Sequence, residues 1–291
     1  MNFDRSLDVA AGHEVRLSPL VSRVLAPNPG PFTFKGTGVH IVGAGPSVAV
    51  IDPGPDMPDH VAALKRVLGA RQISHILVTH THRDHSPAAA ELKSWSGAPT
   101  YGLPLATAAT AGEGMVDEAH DHDFVPDIYV EDGLRIGGDG FTLECIATPG
   151  HTANHLCYGL AEEKALFSGD HVMGWSTSVI APPDGNMVQY LSSLERLRTR
   201  DDGILYPTHG SPIANPRDWI GQLIAHRHMR AAQIVEALRA GASTIILLVE
   251  RLYPDLPPVL RPAAALQVKA HLDHLIEQDA VMRAGGVYSL K

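Results

Sequence analysis

Residues 79–85, THTHRDH, follow directly on the apolar, β-branched run ISHILV and place His80, His82, Asp84 and His85 within six residues. A buried strand that ends in a tight turn can aim neighbouring side chains at one point. So many polar groups at the end of a buried strand need partners, because unpaired buried imidazoles and carboxylates are costly. They also supply more nitrogen and oxygen donors than one catalytic zinc uses. The turn therefore points to two metal ions, and the rest of the fold must bring further ligands to it.

The chain supplies those ligands singly. His151 stands in ATPGHTANH, after the strand-like FTLECIA and a Pro-Gly turn; Asp170 closes ALFSGD; His209 sits in ILYPTHG. Each lies where an apolar run hands over to a loop, a position in which a rigid element holds a ligand while the loop leaves one side open. A lone histidine among the 17 in this chain would mean little. Recurrence of the same strand-to-ligand pattern is what carries weight.

With these residues in hand, the chain resembles the metallo-β-lactamase superfamily. THTHRDH is similar to its first metal motif, PGHT to its second, SGD to its third and PTHG to its last. The resemblance implies that His80, His82 and His151 hold one metal, that Asp84, His85 and His209 hold the other, and that Asp170 bridges them. It implies two zinc ions per chain; imidazole and carboxylate ligands also admit iron or manganese. The stretches NPGPFTFKGTGVHIVG, VAVIDPG, DHVMG, YLSSL, HRHMRAAQI and AHLDHL resemble the branch that contains the mammalian mitochondrial β-lactamase-like endoribonuclease and many bacterial hydrolases. The implied fold is α/β, an αββα sandwich followed by a small winged-helix-like domain.

Patterning along the chain is consistent with that architecture. Residues 15–54 alternate short apolar runs with Gly and Pro, as antiparallel strands do. GAGP at 43–46 lacks the lysine of a phosphate loop and reads as a hairpin turn. Val61, Leu64, Val67 and Leu68 share one helical face, and Ser86-Pro87 begins a second helix just beyond the metal turn. The cluster His120-Asp121-His122-Asp123, in the segment 111–127, has no preceding buried strand and reads as a solvated or site-rimming loop. The connection after Asp170 is expected to wall the pocket, with Met173 and Trp175 as apolar contacts. Val188, Leu191, Leu194 and Leu197 mark a helix before the last core strand.

The catalytic domain is expected over 1–214 and a helical C-terminal domain over 215–291, starting at the Asn215-Pro216 helix signal. Three helices and a strand pair around Gly285-Gly286 make up the second domain. Its third helix sets Lys269 against Asp273 and Glu277, which favours a lid over a nucleic-acid reader. Its first helix is expected to dock beside the cleft, with His226, Arg227 or Arg230 near an anionic substrate end.

A formal net charge of −9 and the lack of a basic track weigh against a polyanion as substrate. No apolar run is long enough for a membrane span, the opening residues do not read as a secretory signal, and Cys145 and Cys157 do not make a disulfide framework. A cytoplasmic enzyme is expected. Its reaction is read as dinuclear metal-dependent hydrolysis, through a metal-bridging hydroxide, of a small acyl, thioester or lactone compound; cleavage of single-stranded RNA is the alternative. Asp84 orients the nucleophile as well as holding metal. His171 and Tyr190 are further catalytic candidates with two readings each: His171 faces the pocket or orients Asp170, and Tyr190 reaches into the cleft or anchors its helix; a homodimer is the assembly to test.

Overall fold

The computed structural model describes residues 1–105 and 119–291. The early part of the segment 111–127, through residue 118, lies outside the described residues. A seven-stranded sheet runs β1 (Glu14–Arg16), β2 (Val21–Leu25), β3 (Gly38–Val42), β4 (Ser47–Ile51), β5 (Gln72–Leu77), β6 (Thr100–Gly102) and β7 (Ile128–Tyr129), in chain order across the sheet. The first four strands are antiparallel, with four-residue connections between β1 and β2 and between β3 and β4 and a longer one, residues 26–37, between β2 and β3; β4 to β7 are parallel. A second sheet runs β13 (Ile213–Ala214), β12 (Ile204–Pro207), β11 (Ala165–Gly169), β10 (Leu156–Leu160), β9 (Thr142–Ala147) and β8 (Arg135–Gly137), with β11 and β12 its parallel pair.

Strand alternation sorts the apolar side chains into layers. Ala49, Ile51 and Leu77 of the first sheet meet Leu143, Cys145, Tyr158, Phe167 and Tyr206 of the second in the central core. The alternate residues Val48, Val50, Ile76 and Val78 face outward onto Leu64, Leu68 and Leu92 of helices α1 (Pro58–Leu68) and α2 (Ala88–Ser96). On the other side Ile146, Cys157, Leu166 and Leu205 pack on Tyr190, Leu194 and Leu197 of α3 (Met187–Arg198). The inner strands are thus covered on both faces, which is why they read as continuous apolar runs. Both cysteines are buried and unpaired.

Helix α4 (Pro216–Arg239) takes part in two cores. Its Ile220, Leu223 and Ile224 complete the layer outside the second sheet. Its Ile234, Ala237 and Leu238 join α5 (Ile245–Leu252), α6 (Arg261–Glu277) and the hairpin of β14 (Val281–Ala284) and β15 (Val287–Leu290) in the terminal core. Asn215 precedes this helix in the left-handed region without a side-chain cap. Pro87 likewise precedes α2 uncapped, because the Ser86 hydroxyl donates to Asp121 Oδ2 (2.6 Å) instead. Among the described residues no helix is long and apolar enough to cross a membrane.

The start of α3 rests on Gly150, at φ +142°, where a Cβ would lie 2.3 Å from Tyr190 Cα. Backbone cannot yield there as a flexible side chain can. Gly150→Ala should cost on the order of 3 kcal/mol by overpacking and strain, lowering the melting temperature by roughly 10 °C in a chain of this size. A thermal melt unchanged by the substitution would contradict this packing.

Candidate metal centre

Both sheets deliver side chains to one shared edge. β5 runs through Val78 and Thr79 into His80 and His82; β9 turns at Pro149-Gly150 into His151; β11 ends ahead of Asp170; β12 ends two residues before His209. The 79–85 turn is closed by the His85 N–H on His82 O (2.9 Å). Gly169 adopts φ +52°, and a Cβ there would sit 2.6 Å from His155 Nε2. That nitrogen accepts the Asp170 N–H (3.3 Å), so His155 fixes the turn that presents Asp170. Arg23, itself buried, donates through Nη1 to Gly210 O (2.6 Å) and secures the loop that carries His209.

Two electrostatic halves result. In the first, His80 Nε2 and His151 Nε2 lie 2.9 and 3.3 Å from His82 Nδ1. Burial, and then the crowding of imidazoles, holds His80 and His82 well below the ordinary histidine range; burial also lowers His151, partly offset by Asp170. Lowered values favour the neutral imidazole, the form that ligates a metal. In the second half, His209 Nε2 lies 3.0 Å from Asp84 Oδ2 and 3.4 Å from Asp170 Oδ1, and His85 Nε2 lies 3.5 and 3.6 Å from the Oδ2 atoms of the same carboxylates. Burial disfavours charge on both rings, but the carboxylates outweigh it: His85 is raised well above its ordinary value and His209 to about 10. Asp84 and Asp170 are conversely held below the usual carboxylate range, against burial, by His85 and His209.

Despite these approaches, His85 Nε2, His209 Nε2 and Asp170 Oδ1 are buried without an aligned hydrogen bond among the described residues. They converge on common points rather than on one another. Three overlapping groups, His80-His82-His151, His80-His85-Asp170 and Asp84-His85-His209, each bring one ligand atom per residue within 4.8 Å of the others. Nitrogen and carboxylate donors so spaced suit divalent transition metals. All seven residues expected at the metals are therefore brought together.

The rear nitrogens are engaged as well, which orients the rings. His151 Nδ1 meets Val179 O (2.6 Å), His209 Nδ1 meets Gly36 O (3.1 Å) and His85 Nδ1 meets Asp52 Oδ2 (2.9 Å). Asp52 is fully buried at the end of β4 and also accepts from Thr79 N, Thr79 Oγ1 and Thr208 Oγ1 at 2.7–2.9 Å. No role for Asp52 follows from the sequence reading, although VAVIDPG has the same apolar-run-to-carboxylate form as ALFSGD.

His171 and Tyr190 sit behind the cleft rather than in it. Both are fully buried and neither lines the cleft. The Tyr190 hydroxyl donates to His171 O (3.0 Å), and the two rings pack 4.6 Å apart. Burial, then the charge of neighbouring groups, lowers His171 to about 3, so it is a neutral packing residue. The chain reverses at Asp170, with the His171 N–H on Ser168 O (3.0 Å), and this turns residue 171 away from the face that Asp170 presents.

The cleft over the ligands has a volume of about 380 Å³. His82, Asp84, His151 and Asp170 form its polar floor, and Phe32, Met173, Val179, Ala181 and, from α6, Ala263 and Leu266 contribute apolar wall. Of the 120–123 cluster, His120 lines it, with its Nε2 3.5 Å from Asp184 Oδ2, whereas Asp121 and Asp123 line a separate pocket beside α2. Met173 reaches the cleft as expected; Trp175 stacks on Phe34 (4.9 Å) beside it.

Comparison with known proteins agrees with this geometry. Residues 39–209 match the family described as "Metallo-beta-lactamase superfamily", and residues 244–288 match the "Beta-lactamase associated winged helix domain". A "Beta-lactamase-like protein 2 homolog" of Caenorhabditis elegans is 34% identical over 274 residues, which are 91% of this chain and 87% of the relative. An "Atrochrysone carboxyl ACP thioesterase" of Paecilomyces divaricatus is 32% identical over 225 residues, 77% of this chain and 66% of that protein. A beta-lactamase domain protein from Burkholderia ambifaria has a similar fold, with a TM-score of 0.83 at 21% identity over 98% of this chain and 96% of that one.

Two outcomes follow. Asp52→Asn should weaken metal binding by about 10–100-fold while the far-ultraviolet dichroism is kept; chelator competition giving wild-type affinity would show that His85 is aimed without Asp52. Metal must also displace the proton that His209 holds up to a pH of about 10. Metal affinity should therefore rise with pH from neutrality towards that value and fall on acidification, and metal uptake near pH 8 should release protons. Calorimetry in buffers of different ionisation enthalpy detects that release, and its absence would contradict the protonated state.

Proposed function

The chain belongs to the metallo-β-lactamase superfamily, and from that premise we propose that it is a two-metal hydrolase of a small acyl compound, a thioester or lactone. The observation that carries the reading is the seven-residue donor set, of which His82, Asp84, His151 and Asp170 floor a largely apolar cleft of about 380 Å³. We assign His80, His82 and His151 to one ion and Asp84, His85 and His209 to the other, with Asp170 between them. Zinc suits these donors, and iron or manganese would be held by the same atoms.

Two bound ions supply a water acidified towards neutrality and a positive field for the developing oxyanion. Asp84 is the floor carboxylate best suited to orient that water, since its side chain is 26% exposed at the cleft against 11% for Asp170. Held below the usual carboxylate range, it is a weak base; its part is to hold and aim the nucleophile rather than to store its proton. Thr37 Oγ1, at 3.4 Å from Asp84 Oδ2, restrains it. Tyr190, through His171 O and Ser178 Oγ, positions the loop after Asp170 from behind.

The apolar walls favour an acyl chain over a polyanion. Arg83 is the one Arg or Lys among the described residues lining the cleft, whereas a nucleic acid needs several phosphate contacts. The fungal relative named as a thioesterase supports the same chemistry.

A parallel assay of the metal-loaded enzyme on acyl thioesters, lactones, a chromogenic β-lactam, bis-p-nitrophenyl phosphate and single-stranded RNA tests the assignment. Thioester or lactone turnover is expected, lost by about a thousandfold or more in His82→Ala because the metal centre acts as a unit. Turnover confined to RNA and the phosphodiester would overturn it.

A further inference from the structure

A second chamber of about 310 Å³ opens beside the metal cleft and shares Phe32, Met173, Val179 and Ala263 with it. Helices α4 and α6 contribute Arg227, Arg230, His226, His271 and Gln267 to its lining. No Asp or Glu lines it among the described residues, in a chain whose formal net charge is −9. A local surplus of cations in an acidic protein indicates a partner for that charge.

The donors around this chamber are incompletely used. Arg227 is 2% exposed, donates through Nη2 to Ser178 O (2.6 Å) and stacks 5.0 Å over the Tyr190 ring, leaving a buried Nε with no acceptor among the described residues. Gln267 Oε1 accepts the Ile180 N–H (3.1 Å), which orients the amide, yet its Nε2 is likewise unmatched. Both ring nitrogens of His271, which is 1% exposed, and Trp175 Nε1 also lack partners among the described residues. Buried donors in folded proteins are nearly always paired. Burial, and then the guanidinium of Arg227, lowers His226 to about 4 and His271 to about 3, so these rings can offer an N–H without adding charge.

We propose that this chamber seats the anionic end of the substrate, a carboxylate or phosphate group, while the reactive carbonyl lies over the metal ligands and an apolar spacer crosses Phe32, Met173 and Ala263. The proposal rests on the acyl-hydrolase reading and adds the chemistry of the substrate's far end. Arg230 is the adjustable member. It is part-exposed, held over the Tyr253 ring (4.8 Å) and by Gln233 Oε1 (2.9 Å), so its replacement leaves the buried Arg227 contacts in place. A neutral end group would leave the chamber's donors unpaired, which is the strongest form of rejection a polar site has.

The test compares metal-loaded wild type with Arg230→Gln and Arg230→Glu on matched thioesters of one chain length that end in carboxylate, phosphate, methyl or amine. Wild type should favour an anionic end over methyl by about tenfold or more in kcat/KM, the value of one charged hydrogen bond, and the better anion identifies the group. Arg230→Gln should lose that ratio through KM, and Arg230→Glu should move preference towards the amine. Equal ratios in wild type and Arg230→Gln would overturn the proposal. If no thioester turns over, the acyl-hydrolase reading fails separately. Calorimetric titration of both metal-loaded proteins with glutarate and with inorganic phosphate then decides the chamber: about tenfold weaker binding by Arg230→Gln supports it, and equal affinities reject it.

Discussion

One buried carboxylate ties the two sheets together at the edge where chemistry takes place. Asp52 leaves β4 in the left-handed region, at φ +50°, and accepts from Thr79 on the first sheet, Thr208 on the second and His85 between them. A carboxyl group buried this completely is tolerated only when its oxygens find hydrogen-bond partners. Loops carrying ligands must therefore stay in register with it. The same contacts that solvate Asp52 also set the distance between the two halves of the metal centre.

Around that edge the layers have separate duties. The central core of Ile51, Leu77, Tyr158 and Phe167 keeps the sheets face to face. Helices on the outer faces close the hydrophobic surface, and loops at the strand ends are left to build the cleft. α6 then adds Ala263 and Leu266 to the wall and braces the loop after Asp170 through Gln267. Substrate access is thus shaped by two regions of chain, although the described metal donors come only from residues 80–209.

The candidate metal donors were legible because each lies within a few residues of the end of an apolar run, and four of them occupy one turn. Local order in sequence there becomes local order in space. The direction of His171 and Tyr190 was not legible: adjacency to Asp170 and a helical position near the site do not say which way a side chain points, and a tight reversal turns His171 inward while Tyr190 lies on the buried face of α3. In α3 the buried face is Met187, Tyr190, Leu194 and Leu197, with Val188 37% exposed, a shift of phase that apolarity alone could not show. Asp52 has no polar neighbour to signal it; its importance comes from Thr79, His85 and Thr208, which lie far along the chain. The outer chamber likewise assembles from segments near residues 31, 175, 227 and 267, and no local pattern announces such a meeting.

Helix α4 has a consequence for the history of the chain. A module added by recombination usually joins its host through an exposed linker that can be cut and rejoined. Here the joint is a rigid rod of 24 residues whose first half is buried in one core and whose second half is buried in the other. A break at Asn215 would strip Ile220, Leu223 and Ile224 from the layer outside the second sheet, so either part alone would require a new apolar cover. The two parts are expected to be passed on, and to unfold, as a single piece.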